Sequence, residues 1–575
     1  MLRTDELANN SEVQFLHEVL MIYVATNGAK ETMFTWGGLT ASPDEGNPVS
    51  DGGLNREKSA EAIVPASTPV YRGDGKGRTS DTTFRSLKVP TMTSQRKRLQ
   101  SYLKGRGLEV LGTDGAGVVE VRNSWGALNV PDLMDRVLDK ENFHSAVQRV
   151  VANKGAPGVD GMSAQELPGF VEQNWERIYW SLRTGRYRPS PVRRVRIPKP
   201  DGGERELGIP TLLDRAVQQA IAQVLTPIYE PLFSDNSYGF RPNRSAHQAV
   251  LAIKQHYLDG YIWAVDIDLS KYFDTLNHEL LMNIIRRDVH DETLLVIIKA
   301  FLKSGVMDDG VVHEAEEGSP QGGNLSPLLA NIYLNEFDRL LEERGHRFCR
   351  YADDIMILVR SERAAERVMS SSRDFLENTL KLKVNQDKST VGKLPGLKFL
   401  GFTISDYILR DKGRRVRITI HPKSLKRFKD KTRIILRERS HWPVMDTSRH
   451  FTIYVRGWLG YYALSEDGFT MKRLAQWSRR KLRARLWSQW KTPRNRFRKL
   501  AEIMPEGMGV YHPVEGCLVH ARAHGPWHMS AFRPLQSILS NRYLESLGFP
   551  DILKMYEDNH IRLMNRRVRE VRTVV

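Results

Sequence analysis

The chain has 575 residues, 40% of them hydrophobic, a formal net charge of +18 and only two cysteines. That length exceeds what one core supports, and the apolar fraction excludes a wholly disordered chain. Two cysteines, Cys349 and Cys517, exclude a disulfide scaffold and suit a reducing compartment. The positive excess attracts polyanions, nucleic acid first among them. The best apolar run, residues 19–25, is too short for a membrane span and lacks the flanks of a secretory signal, so no membrane partner and a cytoplasmic location are expected.

Residues 1–130 are expected to form a largely irregular N-terminal extension. From Gly28 to Thr93 they are rich in Gly, Ser, Thr, Pro and charge, which bury too little to offset ordering entropy. A GDGKGRTS stretch from Gly73 lacks the spacing of a phosphate loop. From Pro131 onward Leu133, Val137, Phe143, Val147 and Val151 fall at helical spacing, and a glycine-punctuated loop follows at 153–162. Strand-like runs at 192–197 and 261–269 flank a helical stretch at 213–225. Strands and helices mixed without strict alternation predict an α+β fold. After about Pro422 the pattern becomes helical and strongly basic.

Two segments carry chemistry. In 348–359 the adjacent Asp353 and Asp354 are bracketed by apolar and β-branched residues. Carboxylates inside such a run need a partner, and at a hairpin tip their hard oxygens suit Mg²⁺; an ordinary polar turn is the competing reading. Residues 261–269 alternate, with Val265, Ile267 and Leu269 on one face and Asp266 and Asp268 on the other. A strand ending in a carboxylate beside a hairpin carrying two more is what two-metal phosphoryl transfer requires.

The Tyr351-Ala352-Asp353-Asp354 box, with Asp268 and the following Phe273-Asp274 at the family's spacing, resembles the reverse transcriptases encoded by group II introns. The resemblance covers roughly residues 133–556. It implies a right-hand polymerase holding two Mg²⁺ ions on Asp268, Asp353 and Asp354, with Asp268 preferred to Asp266. It makes Phe273 the steric gate against ribonucleotides. Residues 197–210 resemble the fingers hairpin, whose Lys199 and Arg205 would contact the dNTP triphosphate. Residues 236–242 resemble another family box, whose Arg241 would touch template. Residues 318–327 resemble the segment beneath the nucleotide, with Gln321 on the substrate. Lys388 resembles the family's late palm lysine, a general acid for pyrophosphate, and 397–402 the loop holding the primer end.

The helical tail is expected to bind RNA. Every charged residue in 472–499 is Lys or Arg, interleaved with Trp477, Trp487, Trp490 and Phe497. The competing reading is a solvated basic helix with core tryptophans. Residues 456–462 and 477–491 resemble the thumb or maturase X domain, whose contacts with intron RNA would come from Arg479, Arg480, Arg483 and Arg485. The expected domains are therefore 1–130, fingers and palm at 131–411, thumb at 412–500, and a small basic C-terminal nucleic-acid-binding domain at 501–575. Cys517, His520, His524 and His528 briefly suggest zinc, but Gly525-Pro526 breaks the helix between the last two histidines. The tail lacks cysteine pairs of an HNH nuclease, which matches the endonuclease-lacking bacterial lineages. The expected partners are group II intron RNA, a DNA target or primer, and dNTPs. Two alternatives stay open: an RNA-binding splicing factor with a vestigial polymerase, and a related reverse transcriptase recruited to defence or repair.

Overall fold

The computed structural model describes residues 108–113, 119–123, 133–198, 204–308, 311–313, 318, 322–409, 413–437, 442–504 and 525–573. Lys199, Gln321, the stretch from Gly73, Cys517, His520 and His524 lie outside them. The described chain forms two units. The first, within the expected irregular extension, is an antiparallel hairpin of β1 (Leu108–Thr113) and β2 (Val119–Asn123).

The second unit opens with three helices, α1 (Leu133–Val137), α2 (Lys140–Ala152) and α3 (Leu167–Arg183). Asp139 starts α2 by accepting from the Glu141 and Asn142 amides at 3.0 Å, satisfying donors that a helix N-terminus leaves unpaired. Strands β3 (Val192–Pro198) and β4 (Glu204–Ile209) make the expected hairpin, setting Ile197 opposite Arg205. Helices α4 (Leu212–Tyr229) and α5 (Ala246–Leu258) lead into β5 (Trp263–Ile267). Then come α6 (His278–Arg286), α7 (Glu292–Lys303), the short β6 (Val306–Asp308) and β7 (Val311–His313), and the long α8 (Ser326–Glu343). The hairpin β8 (Arg347–Tyr351) and β9 (Asp354–Val359), helix α9 (Glu362–Asp374) and β10 (Thr390–Lys393) complete the central part.

Its four-stranded sheet has the antiparallel order β10-β5-β9-β8. Val265, Ile267, Ile355, Ile357 and Val359 pack on one face against α1–α4 and α6–α9. Ala264, Met356 and Leu358 pack on the other, in a second core with α5 and the chain from Leu394 onward. Strands buried on both faces read as continuous apolar runs, which is why Ile355–Val359 shows no alternation.

The hairpin β11 (Phe402–Leu409) and β12 (Gly413–Ile420) crosses the boundary expected at Asp411, and the helical region starts at Pro422. That region comprises α10 (Pro422–Arg437), α11 (Val444–Tyr462), α12 (Gly468–Gln489) and α13 (Pro493–Ile503). Among the described residues four further helices follow, α14 (Pro526–Met529), α15 (Arg533–Ile538), α16 (Asn541–Ser546) and α17 (Ile552–Thr573). Met529, Leu535, Leu544, Phe549 and Ile552 join Leu482 and Leu486 of α12 in the second core. The described part of 501–575 therefore shares its core with the preceding helices. Among the described residues no helix is long and apolar enough to cross a membrane.

Candidate active site

The register of β5 against β9 sets Ile267 opposite Ile355, so the next residue, Asp268, stands level with Asp354. On the neighbouring hairpin Tyr351 pairs with Asp354, leaving Ala352 and Asp353 as a two-residue tip. Val265, Ile267, Ile355 and Ile357 face the first core, so alternation turns Asp266, Asp268 and Asp354 to the opposite face. The end of β5 is tied down. The Asp268 amide donates to Ser389 Oγ at 3.1 Å, and its carbonyl accepts from the Asn385 amide at 2.8 Å.

These carboxylates repel one another. Burial, then Asp266 and Asp353, push the Asp354 carboxyl up to about 8. Burial, then Asp268, push Asp266 up to about 6, with Lys398 opposing. Lys388 Nζ stands 3.7 Å from Asp268 Oδ2. Among the described residues no three acidic, histidine or cysteine side chains already form a coordination shell. The donor set nevertheless fits a hard divalent cation: crowded carboxylate oxygens whose mutual repulsion the nearby lysines do not cancel.

This crowding has a measurable consequence. Because the folded-state pKa of Asp354 lies above its unfolded value, its contribution to stability is full below about pH 4 and is lost as pH rises through 8. In chelator, wild type is expected to lose stability between pH 5 and 9, and Asp354→Asn to remove on the order of a few kcal/mol of that loss. Melting across that range checks it; parallel curves for the two proteins would show that Asp354 is not the strained group.

Phe273 lies in a 3-10 turn, Tyr272–Asp274, directly after β5. Its ring is half-buried against the first core and sits 5.3 Å from Tyr272, edge-on. Gly318 leans on this turn. Gly318, at φ +91°, donates its amide to Leu276 O, and a Cβ there would lie 2.8 Å from Asp274 O. Only glycine permits that approach. The boxes around Asp268, Phe273, Gly318, Asp354 and Lys388 thus lie beside one another at one end of the central sheet.

The arginines expected to touch nucleic acid do not present free guanidinium groups. Arg241 is 5% exposed and donates to Glu230, Ser234 O and Ser237 O, so it braces the loop rather than a template. Arg483 donates to Leu539 O at 2.8 Å and Asn541 Oδ1 at 3.0 Å, and burial lowers its pKa to about 10. Arg485 donates to Leu436 O and Trp442 O. Arg480 bonds Ser530 Oγ and Trp527 O, and Arg479 faces Asp551 at 3.8 Å. These residues fasten α12 to its neighbours, because a helix that buries cationic positions must give them carbonyls or carboxylates. Trp487 and Trp490 are core. The competing reading of the tryptophans is the right one for these two.

A cationic face on α10 lies outside the residues expected to contact RNA. Phe428, Thr432, Ile435 and Leu436 bury one side, and Lys423, Lys426, Arg427, Arg433 and Arg437 are exposed. The signal was present in the amphipathic spacing of 423–437, whereas the density of arginines in α12 drew attention to buried positions. Arg485→Met is expected to cost about 2–4 kcal/mol of stability, leaving two carbonyls unpaired. Neutralising Lys423, Lys426 and Arg427 is expected instead to leave melting unchanged and to reduce the salt slope of RNA binding by about two units. An unchanged slope in that triple variant would show a merely solvated face.

A cleft of about 610 Å³ opens beside Tyr351, lined by Arg149, Gln219, Gln223, Phe240 and Arg244 among others. Phe240 is exposed, at φ +56°, with its ring 6.4 Å from that of Tyr351.

A strand-borne aspartate level with a hairpin of two more is the arrangement expected of a template-directed polymerase. Residues 197–404 match the family described as reverse transcriptase (RNA-dependent DNA polymerase), and 425–502 match the group II intron maturase-specific domain. Protein YkfC of Escherichia coli (strain K12) is 36% identical over 48% of this chain and 85% of its own length. The group II intron-encoded protein LtrA of Lactococcus lactis subsp. cremoris is 38% identical over 39% of this chain and 38% of its own. Nuclear intron maturase 2, mitochondrial, of Arabidopsis thaliana is 29% identical over 28% of each. The chain belongs to the family of group II intron-encoded reverse transcriptases with a maturase domain. A chain of a partial Cas6-RT-Cas1–Cas2 complex is also similar, at 25% identity over 46% of this chain and 48% of its own, with a TM-score of 0.29.

Proposed function

We propose that this reverse transcriptase copies intron RNA into DNA during retrohoming, and that the same chain binds its intron RNA to assist splicing. The observation that supports it is the crowding of Asp268 and Asp353 around the buried Asp354 at one end of the central sheet, in a chain that also has the maturase domain. In this reading residues 131–421 are fingers and palm, and the helices from α10 are thumb. The enzyme works in the cytoplasm.

Asp268, Asp353 and Asp354 would hold two Mg²⁺ ions. When bound, such ions lower the pKa of the primer 3′-hydroxyl and stabilise the pyrophosphate leaving group. Lys388, exposed beside Asp268, would donate a proton to that leaving group. Lys199, Arg205 and Gln321 would hold the dNTP, and Phe273 would close the space of a 2′-hydroxyl. The Phe240 ring and the Arg149 cation suit a template strand in the cleft beside Tyr351. The exposed cations of α10 suit intron phosphates.

The test is primer extension on an RNA template by the purified chain, run beside splicing of the intron flanking its gene. Splicing assistance without extension, from folded protein, would favour a splicing factor with a vestigial polymerase. Extension with no intron beside the gene would favour recruitment to another role.

A further inference from the structure

We propose that Arg350, acting with Asp338 and Asn331 of α8, is a positioning residue that aims the Asp353 turn by holding the Ala352 carbonyl. The inference rests on the reading of Asp353 and Asp354 as the polymerase carboxylates. Ala352 is the first residue of the hairpin tip and has φ +57°, a region that L-residues with a Cβ occupy at a cost. A two-residue turn of this kind ordinarily takes glycine at that position, so something outside the turn must hold it.

Arg350 supplies the hold. It is wholly buried on β8, two residues before the tip. Its Nε and Nη2 donate to the Asp338 carboxylate at 2.8 and 2.5 Å. Its Nη1 donates to Asn331 Oδ1 at 2.8 Å and to Ala352 O at 3.1 Å. Asn331 and Asp338 stand two helical turns apart on one face of α8, which lets both reach the same guanidinium. The other side of the tip is closed as well. Asn331 Nδ2 donates to Gly239 O at 2.8 Å, and a Cβ on Gly239 would lie 2.3 Å from the Ala352 amide nitrogen. Arg350's own backbone joins Asn236 O and the Tyr238 amide.

A buried arginine needs one carboxylate to balance its charge. The two further acceptors, one of them the strained turn's carbonyl, exceed that need. The planar fork fixes their directions relative to one another, which a lysine cannot do. Helix α8, the 236–242 loop and the catalytic hairpin are thereby locked in one geometry.

The test compares Arg350→Lys, the paired Arg350→Met with Asp338→Leu, and Asn331→Ala. The readouts are melting, hydrogen exchange of residues 348–359 in chelator, and steady-state extension. The paired variant replaces an ion pair by apolar side chains and is expected to fold. Its turn amides are expected to exchange at least about tenfold faster. Its kcat is expected to fall by about 10²-fold, with KM for dNTP and affinity for primer–template unchanged. Arg350→Lys is expected to fall between it and wild type. A folded paired variant with wild-type exchange and kcat overturns the proposal. Should that variant not fold, Asn331→Ala keeps the ion pair and is expected to show faster turn exchange and a lower kcat; wild-type values for both overturn the proposal equally. Asp353→Asn separates the two levels. If it still polymerises, the reading of the site fails; if it is inactive while the folded Arg350 variants match wild type, only the positioning role fails.

Discussion

Asp353→Asn is expected to lower primer extension by at least about 10³-fold while leaving intron RNA binding and assisted splicing intact. Metal-borne stabilisation of developing phosphoryl charge is worth several kcal/mol, and every 1.36 kcal/mol is tenfold in rate. Asparagine keeps the shape of the tip but loses the anionic oxygen. The exposed cations of α10 are carried on a different helix, packed in the second core. Extension, RNA affinity and splicing are measured on the same preparation, with melting to confirm the fold. Loss of splicing assistance in a folded Asp353→Asn protein would mean that the two activities are not separable.

Phe273→Ala is expected to relax sugar discrimination by about 10- to 200-fold, the range within which the shape of an apolar pocket rejects a slightly larger substrate. The change should appear as faster rNTP addition with little loss for dNTP. Phe273 is half-buried, so truncation leaves a partial void in the first core, and a modest fall in melting temperature accompanies the effect. Single-nucleotide addition with matched rNTP and dNTP is the measurement. Unchanged discrimination would remove Phe273 from the role of gate.

The carboxylate-bearing end of the sheet was legible because period-two alternation on a strand is a local property. Val265 and Ile267 against Asp266 and Asp268 could be sorted by counting, and the family spacing then chose Asp268. The fates of the arginines were not legible in that way. Whether Arg483 meets a phosphate or Leu539 O depends on a helix 56 residues further on, and no periodicity within α12 encodes it. Arg241 was misread for the same reason, since its partner Glu230 lies across a loop whose path sequence does not fix. The β11–β12 hairpin was missed at 402–420 because its second strand, with Arg414, Arg415 and Arg417, looks like the start of the basic helical region. The buried pairing of Arg350 with Asp338 was visible only as an arginine in an apolar run, a signal without an address.

The central sheet is a wall shared by two rooms. Ala264, Met356 and Leu358 on its far side are covered by α5 and the chain from Leu394 onward, not by the helices of the first core. A polymerase cut free of its RNA-binding helices would therefore expose those side chains to water and lose the backing of the strands that carry its aspartates. The two halves of the family's work are joined by hydrophobic dependence as well as by a continuous chain. A descendant that abandoned splicing could discard the cations of α10 with little penalty, yet it would have to keep the helices, or repaint one face of β5 and β9 with polar residues before letting them go.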